Sequence, residues 1–81
     1  MLIEYDPEAD AIFASFRTIE PGEGASTEVL DDCRLVHYDH AGEIYGVEFL
    51  EVSDGINLTD VPRADEIAAA LRAFRNVQPA A

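Results

Sequence analysis

The sequence predicts a small α+β domain, an antiparallel β-meander of four to five short strands followed by one C-terminal amphipathic helix packed on one sheet face. Three observations carry this expectation. Eighty-one residues are enough for one domain and no more. The first fifty alternate short runs rich in Ile, Val, Tyr and Phe with turn-forming Pro, Gly and Asp. Near the end, Ile67, Leu71 and Phe74 recur at helical spacing. The expected division is one domain over 1–76, with the meander at 1–52, a connection at 53–62 and the helix at 63–76, and a frayed tail at 77–81.

Leu2 to Asp6 and Ala11 to Arg17 read as two strands of a hairpin. Between them, Asp6-Pro7-Glu8-Ala9-Asp10 favours a turn, because proline fixes φ and aspartate bonds to nearby backbone. A helix opened by Pro7 is the rival over residues 8–17, and the Ile12/Ala14/Phe16 alternation favours strand. Thr18 to Ala25, with Pro21, Gly22 and Gly24, reads as a loop. Ser26 to Leu30 is a strand that Asp31-Asp32 interrupts as a bulge or bend before Cys33 to Tyr38 resumes. Asp39-His40-Ala41-Gly42-Glu43 is the clearest turn signal, with Gly42 left-handed at the end of a three-residue hairpin loop. Glu43 to Leu50 is the last strand.

Pairing back from Asp39 opposite Glu43 puts Val36 and Tyr38 on one face with Ile44, Gly46, Glu48 and Leu50. Leu35 and His37 then share the other with Tyr45, Val47 and Phe49, and Glu48 lies opposite Arg34. A slip of one residue would exchange the faces of one strand. Glu51 to Asp60 reads as a polar connection. The helix runs from about Pro62 or Ala64 to Arg75, with Asp65 and Glu66 in its first turn and Arg72 and Arg75 in its last, as the helix dipole prefers. Asn76 is the expected stop, and Gln78-Pro79-Ala80-Ala81 should fray. About 12 helical residues span roughly 18 Å, enough to cover one side of a sheet. The other side, also bearing large apolar residues, is expected to meet a second subunit in a homodimer.

Seventeen acidic residues against five basic ones give a net charge of −12. That excludes a cationic footprint for nucleic acid and disfavours anionic membranes. The surplus charge serves solubility, and it would also attract a basic protein partner. No apolar run reaches the ~20 residues of a membrane span, and the opening residues lack a signal-type pattern. A cytoplasmic location is expected. The single cysteine, Cys33, forms no intrachain disulfide and reads as a small buried thiol.

Asp6-x-Glu8-x-Asp10 has the spacing that opens a calcium loop. Ala11 stands where that loop turns on glycine and Arg17 where it closes with glutamate, so turn chemistry accounts for it better. Cys33 and His37, four residues apart on an extended strand, would be about 13 Å apart and cannot share one ion. His40 in its turn reads as a solvated side chain. Zinc would need donors from elsewhere or across a dimer. Cys33 and His37 share a strand face but stand too far apart for direct contact as nucleophile and base, and no serine elbow or phosphate-cradling loop is read, so no catalytic, cofactor-binding or metal residue is assigned and no cofactor is expected. Glu48, a carboxylate inside an apolar strand, is read first as the cross-strand partner of Arg34, with a role in subunit registration or acid chemistry as the functional reading. The candidates for an interface or functional role are Asp6, Asp10, Arg34, His37 and Glu48.

Tyr5-Asp6-Pro7-Glu8-Ala9-Asp10-Ala11, Asp31-Asp32, Tyr38-Asp39, Gly42, Ile44 and Gly46-Val47-Glu48-Phe49-Leu50 together resemble the small bacterial domain-of-unknown-function family 2283. The resemblance covers about residues 1–52. Cys33 stands where such sequences often have glycine, and His37 where an acidic residue is common. The resemblance implies a bacterial, cytoplasmic β-meander without assigned activity, and it carries no catalytic residues over. Some members look like partners of small toxin-like proteins, which implies an antitoxin-like role by analogy. The function expected is therefore a non-enzymatic, self-associating interaction module able to bind a basic protein. The rival is a small enzyme or metal binder using Glu48, Asp6 and Asp10 at a subunit interface.

Overall fold

Aspartates at the strand ends shape the turns, and the turns set the sheet. The computed structural model describes residues 1–77. Its elements are β1 (Leu2–Asp6), β2 (Ala11–Ser15), β3 (Gly24–Asp31), β4 (Arg34–Asp39), β5 (Ile44–Phe49), a 3-10 turn (Val52–Asp54) and α1 (Ala64–Val77). All strand pairings are antiparallel, in the order β1-β2-β5-β4-β3. A β1–β2 hairpin and a β3–β4–β5 meander thus become one sheet where β2 pairs with β5.

In the first hairpin the Asp6 carboxylate accepts hydrogen bonds from the Glu8 and Ala9 amides, and Asp10 takes a left-handed φ of 52°. The β4–β5 loop is His40-Ala41-Gly42, as expected. Asp39 and Glu43 pair across its base at 2.8 Å, and Gly42 has φ 80°. Asp39 Oδ1 accepts from the Ala41 and Glu43 amides, each at 2.9 Å. Asp31-Asp32 is not a bend within one strand. Asp31 lies opposite Arg34, so Asp32 and Cys33 form the hairpin turn between β3 and β4. The Asp31 carboxylate receives the Cys33 amide at 2.9 Å, which gives that turn its local drive. Edge strand β3 steps out of even pairing at two places along β4, between Gly24 and Ser26 and between Val29 and Asp31, and such irregularity discourages edge-to-edge pairing.

The β4–β5 register corrects the one read from sequence. Tyr38 pairs with Ile44 as predicted, but His37 pairs with Gly46, leaving Tyr45 as an extra residue. Beyond that bulge every β5 side chain changes face. Val47 now lies opposite Val36, Phe49 opposite Arg34, and Glu48 opposite Leu35. The physical reason is burial: the bulge lets Val47 and Phe49 join Val36 in the core, where all three are almost fully enclosed.

That core lies on one face of the sheet. Ile12, Ala14, Val36, Val47 and Phe49 pack with Val61 of the connection and with Ile67 and Leu71 of α1. The connection, expected to be polar, carries Val52, Ile56, Leu58 and Val61 against this core. It is held by Arg34, whose guanidinium donates to the Asn57 and Thr59 carbonyls and also pairs with Asp31. It is held again by Asp10, whose carboxylate receives the Ser53 amide at 3.0 Å and hydroxyl at 2.6 Å. At the helix start Arg63 places its guanidinium 4.2 Å over the Phe16 ring. The helix continues to Val77, one residue past the expected stop at Asn76. The fraying expected of the final tail falls on residues 78–81, outside the described residues.

Gly46 meets Phe13 on the opposite face. A methyl group there would stand 2.5 Å from Phe13 Cε1 and 2.9 Å from the Ala14 carbonyl oxygen. Gly46→Ala is therefore expected to lower stability by about 1–3 kcal/mol. Urea unfolding checks this, and an unchanged midpoint would contradict the close approach.

Candidate functional site

The face of the sheet turned away from α1 holds the groups most open to chemistry. The observed register places Leu2, Phe13, Leu35, His37, Gly46 and Glu48 on it, with Thr27 and Val29 from β3. Leu2 and Val29, at its two edges, are 58% and 64% exposed. In its middle the rings of Phe13, His37 and Tyr45 lie 5.2–6.3 Å apart around the space that Gly46 leaves open.

His37 is held from both sides. Its Nε2 lies 3.0 Å from Glu48 Oε1 and its Nδ1 lies 3.0 Å from Thr27 Oγ1. Glu48 thus meets His37, not Arg34, because the Tyr45 bulge turned it to this face. The histidine side chain is 17% exposed and the glutamate 33%, so the pair opens onto the surface. A hydroxyl, an imidazole and a carboxylate in line contain the proton-relay part of a nucleophilic site.

Of the five candidates, the structure brings only His37 and Glu48 into contact. Asp6 lines a shallow groove with Glu4, Phe13 and Glu48, but its carboxylate accepts the turn amides. Asp10 faces Ser53, and Arg34 braces the connection. Among the described residues no three His, Cys, Asp or Glu side chains converge on one point that could hold a metal ion. His40 is exposed in its turn, as read, and its Nε2 lies 2.9 Å from the Gly22 carbonyl oxygen.

Cys33 is half-buried in the β3–β4 turn, and its thiol donates to Glu51 at 3.0 Å. That bond to a carboxylate, aided by desolvation, pushes the thiol up to about 11. Glu51→Gln is expected to lower this value and speed alkylation by iodoacetamide at pH 8, because the thiolate is the reactive form. Equal rates in the two proteins would contradict the assignment.

Sequence reasoning missed one structural hub. Arg17, just past β2, reaches Asp39 at 2.7 Å and Glu23 at 3.4 Å, tying the 18–23 loop to the β4–β5 turn. The Arg17 guanidinium and the turn amides hold the Asp39 carboxyl below its ordinary value of 3.8. A carboxyl depressed in the folded state contributes stability above its unfolded pKa and loses it as pH falls through the lower folded value. Carboxyl NMR should give a midpoint below 3.8 for Asp39, and Arg17→Gln should raise it. A midpoint at the ordinary value would remove the hub.

Comparison with family models adds one result. The model described as "Protein of unknown function (DUF2283)" matches residues 2–53, from β1 into the 3-10 turn. Comparison with curated proteins and with solved structures returns no match. With the match covering the whole sheet, well over half of the sequence, the chain belongs to the DUF2283 family.

Proposed function

We propose that this protein is a non-catalytic interaction module that pairs with a second copy of itself through the sheet face opposite α1. The observation that supports this best is the face itself, with Phe13, Leu35 and Tyr45 half-buried at its middle and Leu2 and Val29 exposed at its edges. Helix and connection both pack on the other side. Five strands at about 4.8 Å spacing and five residues at about 3.4 Å give a footprint of roughly 400 Å² in projection. That is small beside the ~800 Å² per partner of a standard interface. The reading is therefore a reversible, concentration-dependent dimer.

Charge sets the conditions. Each chain carries −12, so two copies repel and added salt should strengthen their association. A second reading, binding of a basic protein, is favoured by the same surplus. Arg17, Arg34 and Arg63 are already paired with Glu23, Asp39, Asp31 and Glu66, which leaves much of the acidic surface to a cationic partner. An antitoxin-like role would be one form of it, by analogy with the family resemblance. The two readings have opposite salt dependence, since a complex of opposite charges weakens as salt rises.

Sedimentation equilibrium tests the first reading. The dimer mass should appear with rising concentration and more readily at 0.5 M than at 0.05 M salt. Leu2→Lys with Val29→Lys, both at exposed positions, should return the chain to a monomer with its circular dichroism unchanged. A monomer across the range at both salt concentrations would contradict the proposal.

A further inference from the structure

We propose that two copies of this chain bind one Zn²⁺ ion between them, each supplying His37 Nε2 and Glu48 Oε1. This inference rests on the face-to-face dimer of the preceding section.

The geometry of the pair carries it. Two donors each about 2.0–2.2 Å from a tetrahedral ion stand roughly 3.3–3.6 Å apart. His37 Nε2 and Glu48 Oε1 are 3.0 Å apart on neighbouring strands, so both donors reach one ion once the carboxylate swings off the Nε2 axis that its oxygen now occupies. A zinc-binding imidazole is normally oriented by a hydrogen bond from its other nitrogen to an oxygen, and Thr27 Oγ1 occupies that position at 3.0 Å from Nδ1. One chain supplies only two donors, whereas a structural zinc site takes four. In an isologous dimer each residue near the twofold axis meets its own copy, and the pair lies near the middle of the face, bridging β4 to the central strand β5. Two histidine nitrogens and two carboxylate oxygens complete the set. The ion also offsets the repulsion of two Glu48 carboxylates brought together at the axis.

Proton bookkeeping is simple for a neutral imidazole. Without metal, Nε2–H donates to Glu48 and Nδ1 accepts from the Thr27 hydroxyl. With metal, the Nε2 proton leaves to solvent, Nδ1 takes one up, and the hydroxyl rotates to accept from it. No net proton is released.

The test is sedimentation of the full chain with chelator or with Zn²⁺, together with calorimetric titration of Zn²⁺ and visible absorption of a Co²⁺ complex. One ion per two chains is expected, with a tetrahedral Co²⁺ spectrum. Dimerisation should tighten about 100-fold at a free ion concentration 100 times Kd. His37→Gln and Glu48→Gln should abolish this response. Thr27→Val, at an exposed position, should weaken binding about tenfold or more. A dimer indifferent to Zn²⁺ would overturn the metal site and leave the dimer standing. Binding that survives in both glutamine variants would place the ion on other carboxylates and also overturn it. A monomer in chelator and in Zn²⁺ alike would sink the dimer and the metal site together.

Discussion

The extra residue at Tyr45 is the constraint on which the rest of the structure depends. Strand side chains alternate, so one inserted residue reverses the facing of all that follow it. With the bulge, Val47 and Phe49 meet Val36 beneath α1, and the core becomes continuous from β2 to β4. The same step sends Glu48 outward to His37. Gly46, next to the bulge, permits it, because no other residue leaves room for the Phe13 ring and the Ala14 carbonyl. Core and candidate site are two consequences of one irregularity.

The fold class was legible for physical reasons that need only local sequence. The Asp39–Glu43 turn, the Asp6–Asp10 turn and the spacing of Ile67 and Leu71 each act within a few residues, and each stands where it was read. What escaped were effects of long range. The bulge is favoured by burial of Val47 and Phe49 against elements on both sides in sequence, from Ile12 of β2 to Leu71 of α1, which the hairpin signal cannot see. The Asp31-Asp32 turn was hidden because β3 and β4 pair with irregular register. The connection was misread from its Asp, Gly and Asn content, although Ile56, Leu58 and Val61 stand at spacings of two and three residues and were a usable sign of burial. Of the candidate residues, Glu48 and His37 were found as types without their contact, since the register read from the sequence is not the one that joins them.

Electrostatics divides this molecule into a frame of tied ion pairs and a free acidic exterior. Arg17, Arg34 and Arg63 serve the frame: one locks a loop to a turn, one braces the connection, and one covers Phe16 at the helix entry. The large negative remainder opposes association of like chains, which is why contacts at the second face must be apolar, or bridged by a cation, if two copies are to meet.

The most direct measurement is the β4–β5 pairing in solution, read from cross-strand backbone NOEs on labelled protein. The account predicts contacts between His37 and Gly46, Val36 and Val47, and Leu35 and Glu48. Contacts between His37 and Tyr45 and between Arg34 and Glu48, the unbulged register, would contradict it and would return Glu48 to the helix-covered side.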